Sequence, residues 1–501
     1  MSKKYLLGVD GGTEGLRAGV FDVFGTPLAF ASTSYPTQFP APSWAEQDPN
    51  DWWDALGKSV RKAISDSGIS VDQIAAMAVD TTCCSVVPLD DSGNPVRPAL
   101  IWMDVRSAEQ AEQMVATEDD ALRINSNGSG PVSAEWMIPK ALWIKQNEPE
   151  NFDRAVTICE YQDYINLHLT GRLGASINNV SVRWHCDYTG DGVPKSLLEK
   201  LDFGELVEKW PQDVFRLGEL VGGLTPRAAE HLGLTPDLPV VQGGADAQIG
   251  MIGLGVVKPG NLALITGSSH LHLGLSEKPF YGTGIWGTYA DALLPGLHSV
   301  EGGQTSTGSV INWLKYLFGE SDYEALNRDA SKLPPGSENL IVQEHFQGNR
   351  TPHTDPKSRG AFHGLTLKHG REHLFRAAIE GVAFGSELIL ESMRTNGFFP
   401  ESIVVSGGAT RSELWLQIHS DVSNLPLTLT KNPDAPLLGC AILAAVGAGI
   451  YEDIPTAVEQ MVQIDRVIEP NSQAHAEYQP FYEAYKASYV GLRNIRNNLE
   501  N

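Results

Sequence analysis

An α/β protein assembled from two related halves is the fold the sequence predicts, and three observations predict it. Strand-like apolar runs alternate with helical periodicities from the N-terminal region onward. A strand–glycine turn–strand unit occurs twice, at residues 5–22 and again at residues 261–275. A second kind of segment, an apolar strand ending in small polar residues, is also duplicated. Residues 76–79 run into Asp80-Thr81-Thr82, and Ile403-Val404-Val405 runs into Ser406-Gly407-Gly408. Two halves that each offer a phosphate-type turn imply a duplicated architecture closing on a nucleotide between them.

The first unit is the most informative. An apolar run over residues 5–9 delivers Asp10 onto Gly11-Gly12-Thr13, and a second apolar run carrying Arg17 leaves it. The pattern predicts a β-hairpin whose tip holds a carboxylate, a hydroxyl and exposed backbone N–H groups. Glycines let a polyanion approach the backbone, and the N–H groups then face phosphate oxygens. A carboxylate beside phosphate repels it unless a cation lies between, so Asp10 points to Mg²⁺. The plainer alternative is a tight hairpin with a solvated acid. Strands are predicted at residues 6–9, 18–21 and 74–79. A helix is predicted at 51–64 with Trp53, Leu56, Val60 and Ile64 on one stripe, and helical patterns recur at 139–145, near 161–170 and near 226–232. The character changes in the glycine-rich passages of residues 243–260. The chain then restarts with an apolar run at 261–265, the turn Thr266-Gly267-Ser268-Ser269 and a returning strand at 270–275. The expected boundary lies near Val256, dividing the chain into domains 1–256 and 257–501.

At 501 residues the chain exceeds what one core usually supports. Its 37 Lys and Arg against 61 Asp and Glu give a net charge of -24, the wrong sign for a nucleic-acid binder that relies on phosphate contacts. A polyphosphate remains compatible, because fixed N–H dipoles and a cation can hold it locally. The five cysteines contain no Cys-x-x-Cys and imply a reducing compartment. The apolar run behind Met1 is too short for a signal peptide. The longest uncharged stretch, residues 435–451, falls short of a membrane span and predicts a buried helix. The expectation is a cytoplasmic protein with no membrane and no nucleic-acid partner; Asn-x-Ser at Asn127 and Asn179 carries little weight in that setting.

A family resemblance enters at Gly360-Ala361-Phe362-His363-Gly364-Leu365, followed after seven residues by His373-Leu374-Phe375-Arg376-Ala377-Ala378-Ile379-Glu380. This spacing is similar, position by position, to the C-terminal signature of the FGGY carbohydrate kinases. The resemblance extends over essentially the whole chain. Asp10-Gly11-Gly12-Thr13 is similar to the family's first phosphate loop and Thr266-Gly267-Ser268-Ser269 to its second. Ser406-Gly407-Gly408-Ala409 resembles its adenine-side glycine pair, and Leu437, Gly439, Cys440, Ala441 and Ala444 its helix near the adenosine. Gly348-Asn349-Arg350-Thr351-Pro352 is another familiar element. Pro139-Lys140-Ala141-Leu142-Trp143 keeps the Lys and Trp of the N-terminal signature but has Ala where a larger apolar residue is usual.

What the resemblance implies is an ATP-dependent sugar kinase with two actin-like (ribonuclease H-like) domains and a nucleotide/sugar cleft between them. Its ligands would be ATP, Mg²⁺ near Asp10 and a small sugar or polyol. Phosphate and ATP contacts would come from Gly12, Thr13, Arg17, Thr266, Gly267, Ser268, Gly407, Gly408 and Ala409. Asp246, in Gly243-Gly244-Ala245-Asp246-Ala247, occupies a matching glycine-rich loop and would be the catalytic base. Chemistry supports the role, because phosphoryl transfer needs a group that orients the hydroxyl and takes its proton. A helix N-cap is its alternative reading. For the sugar, Trp102-Met103-Asp104-Val105-Arg106 is similar to the family's Trp-x-Asp-x-Arg segment. An acid and an arginine two apart on an extended segment face the same way, which suits paired hydroxyls as well as a surface ion pair. Three further segments resemble the ribulokinase form: Asp80-Thr81-Thr82-Cys83-Cys84, Ser133-Ala134-Glu135-Trp136 and Glu301-Gly302-Gly303-Gln304-Thr305. The substrate residues implied are Cys84, Trp102, Asp104, Arg106, Trp136, Asp246, Glu301 and Gln304, and the substrate a ribulose-type ketopentose phosphorylated at its terminal hydroxyl. Xylulose, ribitol or erythritol kinases, and an actin-like ATPase switch, are the competing readings. Family members are often dimers, which leaves a homodimer open.

Three decoys are set aside. Gly57-Lys58-Ser59 ends like a Walker loop but lies inside the amphipathic helix, with Trp52 where a glycine is required. His369-Gly370-Arg371-Glu372-His373 imitates an inverted zinc motif, yet Gly370 falls at a helix entrance. His270 and His272 lie on one side of a strand with no third ligand evident.

Overall fold

The computed structural model describes residues 4–128, 132–282, 284–319, 322–432 and 434–500. Met1 and Ser129, which bear on the leader and the Asn127 sequon, lie outside the described residues.

In the N-terminal half, β1 (Tyr5–Gly11), β2 (Gly15–Asp22) and β3 (Pro27–Ser34) form an antiparallel meander. Strands β4 (Ile74–Thr81) and β6 (Pro239–Ala245) extend it in parallel, and β5 (Leu220–Gly223) closes the edge, giving the order β5-β6-β4-β1-β2-β3. The C-terminal half repeats the plan. Strands β7 (Asn261–Thr266), β8 (His270–Ser276) and β10 (His298–Gln304) are the meander, with β9 (Gly287–Ala290) added outside it. Strands β11 (Ser402–Gly407) and β12 (Leu427–Thr430) run parallel to β7, and β13 (Ile464–Ile468) is antiparallel at the edge. The inner strands of both sheets are buried over almost their whole length, which is why they read as apolar runs rather than alternations.

The predicted helices form. α1 (Pro49–Ser67) starts where the Asp48 carboxylate accepts the Asn50 N–H and Pro49 occupies the first turn, and it stops at Gly68 in the left-handed region. Its buried stripe runs through Trp52, Leu56, Val60 and Ala63 rather than starting at Trp53. Trp53 lies one position off this i, i+4 line and instead stacks on His231 at 4.5 Å. Gly57 and Lys58 are helical here, so no P-loop forms. The 139–145 and 161–170 patterns become α2 (Met137–Asn147) and α3 (Tyr161–Thr170), and α4 (Ile177–Arg183) follows. Gly370 caps α6 (Arg371–Thr395), which separates His369 from the helix bearing His373. Among the described residues no cluster of three or more potential metal-binding side chains occurs, and no helix is long and apolar enough to cross a membrane. His270 and His272 are buried beside Trp415 and His419, and burial pushes both imidazoles down, His272 to about 3.

The halves meet through two helices that follow equivalent strands: α5 (Asp246–Gly253) after β6 and α7 (Ala435–Gly447) after β12. They cross at backbone contact. A Cβ on Gly253 would lie 1.9 Å from the Ala435 carbonyl oxygen, and one on Gly439 would lie 2.2 Å from that of Ile249. The backbone of α7 also rests on β1, where a Cβ on Gly8 would stand 2.3 Å from the Leu437 oxygen. Leu6, Val241, Ile249, Ile252, Leu438, Ile442 and Leu443 join one apolar cluster across this junction. The fold thus brings Asp246 and Asp434, at the starts of the two helices, to the floor of a shared cleft.

Candidate active site

A cavity of about 270 Å³ opens in the cleft. Its walls come from both halves: Thr13, Cys84, Trp102, Glu135, Arg183 and Asp246 from one, and Ser269, Glu301 and Arg350 from the other. Asp246 is the first residue of α5; Ala245 stands at the N-cap, so the capping alternative does not hold. The Asp246 carboxylate accepts its neighbour Ala247 N–H at 2.7 Å and otherwise faces the cavity. Burial, reinforced by the negative charge of Asp10, pushes its carboxyl up to about 7, against the pull of Arg17 and Arg183. A carboxylate with that affinity for a proton, open to a cavity, can accept one from a bound hydroxyl near neutral pH.

Asp10, at the end of β1, is buried. Strand register puts it beside Asp80 on β4 and opposite Arg17 on β2. Arg17 pairs with Asp10 and reaches Asp434 at 2.5 Å, tying the two halves together across the cleft floor. Asp434 is the N-cap of α7, where its carboxylate accepts the Leu437 N–H. Asp80 is fully buried; one carboxylate oxygen accepts the Cys440 thiol at 3.2 Å and the other has no hydrogen-bond partner among the described residues. Burial, with Asp10 and Asp246 nearby, drives its carboxyl well above the usual range. Neither Asp80 nor Asp434 stands out in the sequence as part of the charged floor, because strand pairing and helix crossing bring them there.

The turn after β1 closes with Gly12 N–H to Gly15 carbonyl at 3.0 Å, and the Thr13 hydroxyl accepts the Trp102 indole N–H at 2.8 Å. On the opposite side the turns after β7 and β11 lie next to each other. The Thr266 hydroxyl donates to the Ser406 carbonyl at 2.6 Å and accepts the Ala409 N–H at 3.2 Å. Gly407 has φ 95°, and a Cβ there would stand 1.9 Å from the Thr266 oxygen. Only glycine fits that close approach. Gly267, Ser268, Gly407 and Gly408 remain exposed, and the Gly267 N–H closes its turn on the Ser269 carbonyl at 2.9 Å.

The sugar-facing set divides. Cys84, Trp102 and Glu301 line the cavity. Glu301 is held by Arg183, whose guanidinium places one nitrogen 3.0 Å from both carboxylate oxygens, and by the Tyr289 hydroxyl at 3.1 Å. Asp104 and Arg106 do not reach the cavity. They sit on a turn rather than an extended segment, and Asp104 is spent on the Ala45 N–H at 2.6 Å and on Arg106. Arg106 is buried with Glu46 at 2.8 Å and stacks on Trp44 at 3.7 Å. Trp136 lies behind the wall, edge-on to Trp286, and its neighbour Glu135 faces the cavity instead. Gln304 is buried in a separate network with Glu344 and Ser386. Arg106→Lys is therefore expected to cost about 1–2 kcal/mol of stability by losing the planar stack and fork, with the KM for sugar little changed; thermal unfolding and steady-state kinetics check it.

Arg183 is a wall residue that no motif announced; Arg350, from the Gly348-Asn349-Arg350-Thr351-Pro352 element, is another wall residue, with no role assigned by that pattern. Lys140, part of the N-terminal signature, is fully buried and donates to the carbonyls of Cys84 at 2.9 Å and Ile101 at 2.5 Å. Its role here is to pin the two loops that carry the Cys84 and Trp102 walls.

Two copies of a five-strand core, joined at a helix pair and flanking a charged cleft, define the actin-like (ribonuclease H-like) class. Residues 5–253 match the N-terminal domain of the FGGY family of carbohydrate kinases, and residues 262–448 match its C-terminal domain. A ribulokinase from Shouchella clausii is 30% identical over 96% of this chain and 94% of its own length. A xylulose kinase from Staphylococcus epidermidis is 28% identical over 100% of this chain and 99% of its own. The crystal structure of a xylulose kinase from Rhodospirillum rubrum superposes with a TM-score of 0.88 at 28% identity, covering 98% of this chain and 99% of that one. The chain belongs to the FGGY family of carbohydrate kinases, enzymes that use ATP as phosphate donor.

Proposed function

We propose that this kinase transfers the γ-phosphoryl group of ATP to the terminal hydroxyl of a ketopentose, ribulose. The observation that carries the reading is the Asp246 carboxyl, at the start of α5, facing a cavity walled by both halves, with its proton affinity raised to about 7. The sugar is assigned mainly to the N-terminal side and ATP mainly to the C-terminal side, with a boundary near Val256. Thr13 and Ser268 would hold the β- and γ-phosphates by N–H and hydroxyl donors, while Gly12 and Gly267, whose own N–H groups close their turns, would let the phosphates approach the backbone. Gly407, Gly408 and Ala409 would border the base, and Arg17 would meet phosphate charge when it leaves Asp434. Asp246 would orient the hydroxyl for in-line attack and take its proton. Closure of the halves would exclude water and so suppress ATP hydrolysis.

The floor fits a hard cation: Asp10 and Asp80 lie side by side, and one Asp80 oxygen has no partner among the described residues. Mg²⁺ held there by Asp10, completed by water and ATP oxygens, would supply charge neutralisation for the phosphates.

Ribulose is favoured over xylulose because each of the three segments that resemble the ribulokinase form contributes a wall residue: Cys84, Glu135 and Glu301. An ADP-release assay with Mg-ATP against D-ribulose, L-ribulose, D-xylulose, ribitol, erythritol and glycerol tests it. One ribulose should give the highest kcat/KM by at least about tenfold, or about 1.4 kcal/mol of transition-state discrimination. A higher value for xylulose would overturn the substrate assignment, and sugar-independent hydrolysis alone would sink the transfer reaction.

A further inference from the structure

Cys83 and Cys84 are consecutive, yet their sulfurs meet. On an extended segment, neighbouring side chains point to opposite faces. Cys84 instead takes φ 65°, in the left-handed region, and this turn brings the two sulfurs within 3.8 Å of each other on the wall of the cleft cavity. The backbone is fixed in this form from both sides. The N–H groups of Cys84 and Ser85 donate to the buried Glu160 carboxylate at 3.1 and 2.9 Å, and Lys140 donates to the Cys84 carbonyl at 2.9 Å. The other cysteines are engaged singly: Cys159 with the Val87 carbonyl, Cys186 with that of Trp184, and Cys440 with Val9 and Asp80. None of these three lines the cavity.

The geometry favours a bridged pair over a disulfide. A disulfide holds its sulfurs at about 2.05 Å, so the pair would have to close by well over an ångström against a pinned backbone. One atom bonded to both sulfurs needs far less movement. Burial also pushes the Cys84 thiol up, so a reagent that needs the Cys84 thiolate is poorly served.

We propose that Cys83 and Cys84 form a dithiol site that chelates a trivalent arsenical and, when occupied, obstructs the cavity. The reaction balances without an oxidant. Two S–H bonds break and two As–S bonds form. An arsenic-bound oxygen leaves with both protons as water, and arsenic stays trivalent. Obstruction of catalysis rests on the sugar-site reading above; chelation does not.

Phenylarsine oxide is the probe, with two readouts. Intact-mass spectrometry of the full chain should show one phenylarsenic group gained and two hydrogens lost. Ethanedithiol should remove the adduct, whereas an equivalent amount of a monothiol should not. Activity should fall in proportion to the adduct, and saturating sugar should slow its formation at least about fivefold. Cys83→Ala and Cys84→Ser should each abolish the adduct, read by mass whether or not the variant retains activity. An adduct that survives Cys83→Ala, or no adduct on the unaltered chain, would overturn the site. An adduct with full activity would overturn the obstruction. A chain inactive on every sugar but still modified at both cysteines would uphold the dithiol site and place the failure in the substrate reading.

Discussion

Asp246→Asn should lower kcat by about 10³-fold, within the range a positioned base contributes, while leaving the KM for ATP within a few-fold. It should also make the protein more stable at pH 8. The two effects share one cause. The folded chain holds the Asp246 proton up to about 7, whereas an unfolded aspartate releases it near about 3.9. Between these values the folded state binds the extra proton, so this group's contribution to stability falls as pH rises through that window and the penalty is complete above it. Asparagine carries no such penalty. Its stabilising effect should be present at pH 8 and vanish near pH 4, as thermal melts across pH can check. In the unaltered enzyme the same titration predicts an ascending limb of kcat/KM near pH 7; a profile flat from pH 5 to 8 would remove Asp246 from the base role.

Gly439→Val should have the second large effect, on stability and on the cleft together. Its first added carbon would stand 2.2 Å from the Ile249 carbonyl oxygen. That neighbour is helix backbone, which cannot rotate aside as a side chain can. The α5–α7 crossing must widen, at a cost of about 3 kcal/mol, the upper part of the range for overpacking. Because Asp246 begins α5 and Asp434 caps α7, widening should also separate the cleft walls and raise the KM for both substrates. Denaturant melts and kinetics on the same preparation test the link; destabilisation with unaltered KM values would show that the crossing does not set the cleft.

The parts of this molecule that were legible in the sequence are those written in local pattern. Buried strands produced apolar runs, and glycine turns marked where the chain doubled back, so the twofold plan emerged before any contact was known. The place of Asp246 on the cavity wall could be anticipated because its chemistry and its glycine setting agree. The misplaced residues share a different reason. Asp104 and Arg106 do face each other, but spacing cannot say whether a pair looks into a cavity or into the protein, and here Ala45, Glu46 and Trp44 consume them. Trp136 and Glu135 differ by one position, enough on a turn to exchange wall and core. Arg183 was silent because a short helix fixes it against Glu301, 118 residues away. Asp80 and Asp434 needed tertiary pairing to be seen.

The crossing of α5 and α7 has a consequence for how one repeated plan can present two different cleft walls. Related helices follow equivalent strands to the cleft floor, and an aspartate stands at the start of each: Asp246 as the first residue of α5 and Asp434 as the N-cap of α7. Asp434 shares Arg17 with Asp10; Asp246 forms no ion pair among the described residues and opens to the cavity. Burial raises the proton affinity of both carboxyls, but of the two only Asp246 lines the cavity, so the matching starts of the two helices present different faces to whatever fills the cleft.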